Sequence, residues 1–161
     1  MGFLDRFKGR DDAGDGPEPD EPSGAGDAFD DEPVEEIGTR PLTDDEQVGL
    51  EAVRAQYAEH GIDPADLASI EAAYDRALAA HTEGDSSSAV DVVGTAIGDH
   101  LVGAGYRWVV SSDPFGTDLA VEPPRKGVPV VTRMLVAVRW MSRESGWVTG
   151  VVEHLARAGR R

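Results

Sequence analysis

The strongest constraint on the fold of this 161-residue chain is a block of acidic residues that cannot form a core. Between Asp11 and Glu36 stand twelve Asp or Glu residues and no Lys or Arg, spaced by glycines and prolines. Such a segment has too little apolar surface to offset the conformational entropy lost on ordering. We therefore predict a short segment at 1–10, a disordered acidic linker at 11–40 and a folded domain at 41–161.

The charge and composition narrow the class of protein. Of the formal net charge of −16, the acidic block carries −12 and the first ten residues +2, which leaves −6 for residues 37–161. Nucleic-acid binding needs Lys and Arg to neutralise the phosphates. Because this chain is strongly acidic, we expect no nucleic-acid binding. The chain has no cysteine, which excludes disulfides and thiolate zinc sites. Without a signal-peptide core or an apolar run near ~18 residues, a cytoplasmic protein is expected.

The first ten residues form a small basic and apolar segment. The apolar residues stand at helical spacing among basic ones: Phe3, Leu4 and Phe7, with Arg6, Lys8 and Arg10. Two interpretations stay open. The segment could dock weakly on a partner or on an anionic membrane surface, or it could be a frayed chain start without a role.

Residues 43–103 predict three helices. Thr43 and Glu46 form a capping box, and Gly61 ends the first helix. Asp63 and Pro64 predict the N-cap and first residue of the second helix. The third helix begins at the serines of 86–88. The predicted apolar stripes are Leu50, Val53 and Tyr57, then Leu67, Ile70, Tyr74 and Leu78, then Val90, Val93, Ile97 and Leu101.

The second half of the chain predicts strands followed by helices. Residues 106–111 and 118–122 predict a β-hairpin with its turn at 112–117, and 128–131 predicts a possible third strand at a sheet edge. A helix starting at Thr132 should turn Leu135 and Val138 inward, with Met134 and Met141 as further candidates, and a last helix should follow at 147–157. The fold class is therefore α+β: three N-terminal helices, a two- or three-stranded antiparallel sheet and two C-terminal helices.

Catalytic and cofactor motifs are not found in the sequence. Asp99 and His100 are neighbours on a predicted helix, so they point in different directions and do not form a catalytic pair. No nucleophile elbow, metal-binding histidine spacing or phosphate-binding glycine loop occurs. We therefore predict no enzyme activity, no cofactor and no metal.

The stretch 139–147, RWMSRESGW, is the strongest candidate for a functional surface. It holds two of the three tryptophans of the chain. It favours either a core-covering segment or a groove in which an arginine and two indoles recognise a peptide or a carboxylate. The candidate binding residues are Trp108, Asp113, Asp118, Arg139, Trp140, Glu144 and Trp147.

Four ordered pieces of the sequence, 98–101, 106–110, 116–121 and the 139–147 stretch, resemble bacterial domain of unknown function 3806, over about residues 66–155. The alanine, glycine and arginine content resembles an actinobacterial member. The resemblance implies a small cytoplasmic α+β domain without an established activity, and it supplies no catalytic residues. Where the family has a proline before the Arg-Trp helix, this chain has Thr132, with Pro129 earlier.

Three functions are predicted in order of preference. The first is a non-catalytic module that binds a protein or peptide through the hairpin and the 139–147 surface. The second is a small-ligand sensor or enzyme that uses Asp113, Asp118, Arg139 and Glu144 in a pocket between the hairpin and the next helix. The third is an inhibitor of a basic partner, on the ground of overall charge.

Overall fold

The computed structural model describes residues 37–81, 86–114, 116–125 and 127–160. The predicted segment at 1–10 and most of the predicted linker lie outside these residues. The elements are β1 (Gly38–Arg40), α1 (Asp44–Arg54), α2 (Tyr57–His60), α3 (Leu67–Ala80), α4 (Ser87–Gly103), β2 (Arg107–Asp113), β3 (Gly116–Glu122), α5 (Thr132–Met141) and α6 (Val148–Ala158). The α+β fold class is confirmed.

Helix α4 is the centre of the domain. It contacts α1, α3, α5, α6 and both strands of the hairpin. Its middle is buried on every side, from Val92 to Gly98, as expected for a helix enclosed by other elements. Two glycines of α4 allow close approach by neighbouring elements: a Cβ on Gly94 would lie 3.0 Å from Arg133 Cα, and one on Gly98 would overlap the Trp108 indole.

The first two helical segments differ in detail from the prediction. The capping box of Thr43 and Glu46 is present, but the helix breaks after Arg54 and α2 forms a separate turn. Gly61 adopts φ +64° at the end of α2, and Ile62 N–H donates to Tyr57 O. This is the predicted glycine C-cap.

The predicted start of the second long helix at Pro64 was wrong. The Asp63 carboxylate accepts from Ala65 N–H in a local turn, and the helix begins at Leu67 with Asp66 as its N-cap. An Asp-Pro pair fits a turn as well as a helix start, and a second aspartate three residues later provided the cap.

The sheet has three antiparallel strands in the order β1-β2-β3, but its third strand is not the predicted one. In the predicted segment 128–131, Val130 forms an isolated bridge with Val121. Instead, Gly38–Arg40 pairs with β2, with Gly38 opposite Ser112. These three residues belong to the segment that we had assigned to the linker.

The inward face of α5 was predicted correctly for Leu135, which packs partly buried against the core, and wrongly for Val138, Met134 and Met141. Thr132, Val136 and Trp140 are buried, whereas Met134 and Val138 are exposed. The helix has apolar residues on two faces. The face that contains the large indole is the one packed into the core.

Candidate functional site

Two of the predicted binding residues, Trp140 and Trp147, lie in the core. Their exposed fractions are 7% and 5%. Both indoles pack edge-to-face on Tyr74 of α3, with ring centroids 5.7 Å and 5.5 Å apart. Such pairs add about 0.5–1.5 kcal/mol each beyond their buried area. The burial of these two tryptophans agrees with the interpretation of 139–147 as a core-covering segment. Their indoles join α3 to α5 and to the start of α6.

Arg139 and Glu144 lie above this aromatic cluster. The Arg139 guanidinium carbon lies 4.6 Å from the centre of a Trp147 ring, a cation–π contact. Its Nε is 3.8 Å from Glu144 Oε2, and its Nη1 donates to Leu135 O. Burial raises the pKa of the Tyr74 hydroxyl beneath them. Arg139 thus contacts Trp147, Glu144 and Leu135 O within its own domain, while its buried Nε forms no hydrogen bond among the described residues.

The turn between α5 and α6 contains a backbone feature that the sequence did not indicate. Arg143 has φ +53°, a conformation that favours glycine, and it ends α5 with Glu144 N–H bonded to Arg139 O. Its Nη2 donates to Leu78 O near the end of α3. Arg143 therefore closes one helix with its backbone and contacts the end of another with its side chain.

Helix α6 receives its N-terminal cap from a different helix. Its own N-cap residue, Trp147, makes no capping hydrogen bond through its side chain. Thr149 N–H donates to Glu71 Oε2 at 2.9 Å, and Gly146 N–H donates to Asp75 Oδ1 at 3.1 Å. Glu71 and Asp75 are four residues apart on α3 and share one face. Their carboxylates thus hold the start of α6 against α3.

The third tryptophan, Trp108, belongs to a separate polar cluster centred on Asp99, which sequence reasoning missed. Its indole N–H donates to Asp99 Oδ1 at 2.9 Å. Arg54 Nε and the Tyr57 hydroxyl each donate to Asp99 Oδ2 at 2.8 Å. Four elements, α1, α2, α4 and β2, therefore meet at one carboxylate.

The Asp99 cluster keeps that carboxylate ionised. Burial would raise the pKa of Asp99, but the hydrogen bonds from Arg54, Trp108 and Tyr57 together outweigh it and leave the pKa below its ordinary value. Burial, together with the bond to Asp99, raises the pKa of the Tyr57 hydroxyl. All three partners donate to Asp99, and this arrangement is typical of a structural anchor rather than of an acid or base.

Asp113 and Asp118 lie at the tip of the hairpin, beside the start of α5. They line a hollow of about 220 Å³ together with Ser111, Gly116, Thr117, Val131 and Met134. Asp118 Oδ1 accepts from Leu119 N–H at 2.8 Å and lies 3.8 Å from Arg133 Nη1.

The pocket predicted from Asp113, Asp118, Arg139 and Glu144 does not have all four residues in one place. Asp118 is close to Arg133, in the first turn of α5, whereas Arg139 lies six residues, or about 9 Å, further along the helix axis. Neither Arg139 nor Glu144 lines the hollow. The hollow brings together Asp113, Asp118, Val131 and Met134, and the arginine beside it is Arg133 rather than the predicted Arg139.

Exposed apolar side chains follow the outside of α5, beginning at this hollow. Met134, Val138 and Met141 are 58%, 46% and 76% exposed. They stand at i, i+4 and i+7, so they share one face of the helix. We call Met134, Val138 and Met141 the α5 stripe. Because Met134 also lines the hollow, the stripe and the hairpin carboxylates form one surface.

Larger hollows elsewhere contain groups that are already bonded. One of about 460 Å³ lies beside His100, whose Nδ1 is 2.9 Å from Pro64 O. Another of about 520 Å³ contains Arg107, which pairs with Glu122. Within the described ranges no cluster of three potential metal ligands occurs, and no helix there is long and apolar enough to cross a membrane.

Comparison of the chain with protein-family models, curated proteins and solved structures finds no match. The resemblance to domain of unknown function 3806 therefore stays a prediction. The α5 stripe was not among the predicted site residues, although its spacing was visible in the sequence. The pattern identified an apolar face and could not say that this face is exposed.

Proposed function

We propose that the domain is a non-catalytic, cytoplasmic interaction module that binds a protein partner through the α5 stripe. The observation that supports this proposal is the exposure of three large apolar side chains on one face of a ten-residue helix. Single exposed apolar residues are common on soluble proteins, but a continuous patch is typical of an interaction site.

The energetics favour a partner at this surface. Burying one such side chain fully contributes roughly 1.5–3 kcal/mol, so covering the stripe can supply several kcal/mol toward association. Two of the three residues are methionines, whose unbranched side chains adapt to different partner surfaces. The polar hairpin residues beside the stripe resemble the rim of an interface.

The buried residues of 139–147 have a positioning role in this proposal. Trp140 fixes α5 on Tyr74, and Arg133 fixes its other end against Gly94. A partner would therefore meet a preformed helix, which lowers the entropic cost of binding. In this proposal the partner meets the outer face of α5, opposite the side that carries Trp140.

The test is affinity capture from native lysate with quantitative mass spectrometry. The unsubstituted protein is compared with the triple variant M134S/V138S/M141S. We expect partners that bind the unsubstituted protein to be lost by the triple variant. Because all three residues are exposed, the variant should fold normally, and circular dichroism checks this.

The matched control is V48S/V102S, which removes apolar side chains that are exposed on α1 and α4. It should retain every partner. Partners that bind the triple variant and the full chain equally would overturn the proposal.

A further inference from the structure

We infer that the partner segment is a basic amphipathic helix, with apolar residues at i, i+4 and i+7 and a Lys or Arg that reaches the hairpin carboxylates. This inference rests on the proposed function and adds the chemistry of the occupant. It follows from the shape of the α5 stripe, from the charges beside it and from the charge of the whole chain.

The shape of the stripe fits another helix. Met134 and Met141 are seven residues apart, so the stripe covers about 10 Å, or two helical turns. A helix laid along it presents apolar side chains at the same repeat, and ridges of one helix pack into grooves of the other. The hollow at Met134 offers space of about 220 Å³ for a longer side chain at one end.

The cations beside the stripe are already engaged. Arg133 Nε pairs with Asp91 at 2.6 Å. Arg139 lies over Trp147, and Arg143 donates to Leu78 O. These arginines contact groups of their own domain, and the Arg133 side chain is 45% exposed.

Two carboxylates near α5 remain partly exposed, although each lies 3.8 Å from an arginine. The Asp118 side chain, at the hollow, is 40% exposed, and the Glu144 side chain, past the end of α5, is 54% exposed. Asp113 lines the same hollow as Asp118. A partner cation in this hollow would lie beside Asp118, which is 3.8 Å from Arg133 Nη1, and beside the Asp113 carboxylate, which accepts from Gly116 N–H.

The charge of the whole chain acts in the same direction. With a formal net charge of −16, the protein attracts basic partners at long range and repels acidic ones. This attraction raises the rate of encounter, while the stripe and the hollow select where the partner binds.

The experiment uses two fluorescent model helices of roughly 15 residues. Both carry leucines at i, i+4 and i+7; one has lysine at the polar positions and the other has glutamate. Fluorescence anisotropy measures their affinity for the full chain and three variants: M134S/V138S/M141S, D113N/D118N, and the charge control D45N/E59Q. Asp45 and Glu59 are exposed and far along the chain from the hairpin, and the control changes the net charge equally.

We expect the lysine helix to bind saturably and the glutamate helix not to bind. The stripe variant should weaken the lysine helix about tenfold or more, and D113N/D118N about threefold, with the charge control near the full chain. If D45N/E59Q weakens binding as much as D113N/D118N, the attraction is to net charge alone and the inference fails.

The remaining outcomes separate this inference from the proposed function. If the glutamate helix binds as tightly as the lysine helix and both depend on the stripe, the inferred charge of the partner is wrong while the interaction surface stands. If the stripe variant binds the lysine helix as the full chain does, the inferred occupant is overturned. The capture experiment then decides the proposed function independently.

Discussion

At the scale of single residues, Asp99 joins more elements than any motif that the sequence displayed. Its side chain accepts hydrogen bonds from Arg54, Tyr57 and Trp108. Asp99 stands between the buried residues Ile97 and Leu101 of α4, and a carboxylate among apolar side chains is a signal that a cation or donor will pack against it. The sequence showed that signal, but Arg54 and Tyr57 stand 45 and 42 residues earlier and Trp108 stands nine residues later in a strand, so helical periodicity cannot connect them to Asp99.

We expect Asp99→Asn to lower the free energy of unfolding by about 2–3 kcal/mol. The substitution leaves the partly buried Arg54 guanidinium without its main carboxylate partner. Urea denaturation measures the change. The control is Glu51→Gln, which removes the exposed partner of the same arginine and should cost less than about 1 kcal/mol. Equal effects of the two substitutions would contradict the role assigned to Asp99.

The same carboxylate predicts how the stability of the fold changes at acidic pH. Because the pKa of Asp99 is lower in the folded chain than its ordinary 3.8, its contribution to stability is present above that value and is lost as the pH falls through the folded pKa. Glu46 acts in the same direction, since the bonds from Arg40 lower its pKa to about 2. Between about pH 5 and pH 2, the free energy of unfolding should fall less steeply for Asp99→Asn than for the unsubstituted protein. Parallel curves would show that Asp99 does not contribute.

Gly98 gives a third prediction at this scale. A Cβ at this position would overlap the Trp108 indole, so Gly98→Ala must displace the ring. We expect a loss of about 2–4 kcal/mol and a red shift of tryptophan fluorescence. Gly103 stands in the same helix with open space around its Cα. Gly103→Ala should therefore be neutral or slightly stabilising.

At the scale of elements, the helices hold each other by their ends. Glu71 and Asp75 of α3 cap α6, and Arg143 at the end of α5 contacts the end of α3. The capping box of α1 was predictable because its residues are three apart in the sequence. The caps of α6 were not, because the donors and acceptors are more than 70 residues apart.

The cap from α3 can be tested by substitution. We expect E71A/D75A to lower the free energy of unfolding by about 1–2 kcal/mol, because two N–H groups at the start of α6 lose their acceptors. The variant E71Q/D75N keeps an acceptor oxygen at both positions and should recover at least half of the loss. Thermal unfolding followed by circular dichroism compares the two. If the amide variant is as unstable as the alanine variant, charge rather than hydrogen bonding is responsible.

Helix α5 illustrates what a hydrophobic pattern can and cannot predict. The sequence correctly predicted a helix starting at Thr132. It could not decide which of two apolar faces is buried, because Val136 and Trp140 repeat with the same period as Met134 and Val138. That choice depends on Tyr74 of α3, which accommodates the indole of Trp140. The same choice leaves the α5 stripe exposed.

At the scale of the whole molecule, the described fold begins earlier than the composition indicated. Residues 37–40 follow the acidic block directly, yet Gly38–Arg40 forms the edge strand of the sheet. Strands of three residues lack a readable alternation, so the sequence offered no signal for β1. The strand is fixed by pairing with β2 and by the bonds from Arg40 to Glu46.

We expect a chain that starts at Thr43 to be less stable than one that starts at Ile37, by about 1–2 kcal/mol. The shorter chain loses β1 and exposes an unpaired edge of β2, which should also promote self-association. Urea denaturation and analytical ultracentrifugation measure the two effects. Identical midpoints and identical sedimentation would mean that β1 is dispensable.

The position of α4 has a consequence for the way in which the domain opens. Because this helix contacts both strands of the hairpin and four other helices, its central amide hydrogens are covered from every direction. Solvent can reach the amides of Ala96 and Ile97 only when several neighbours leave together. In deuterium oxide these amides should exchange at the rate of global unfolding, while the ends of α5 and β1 exchange through smaller local openings.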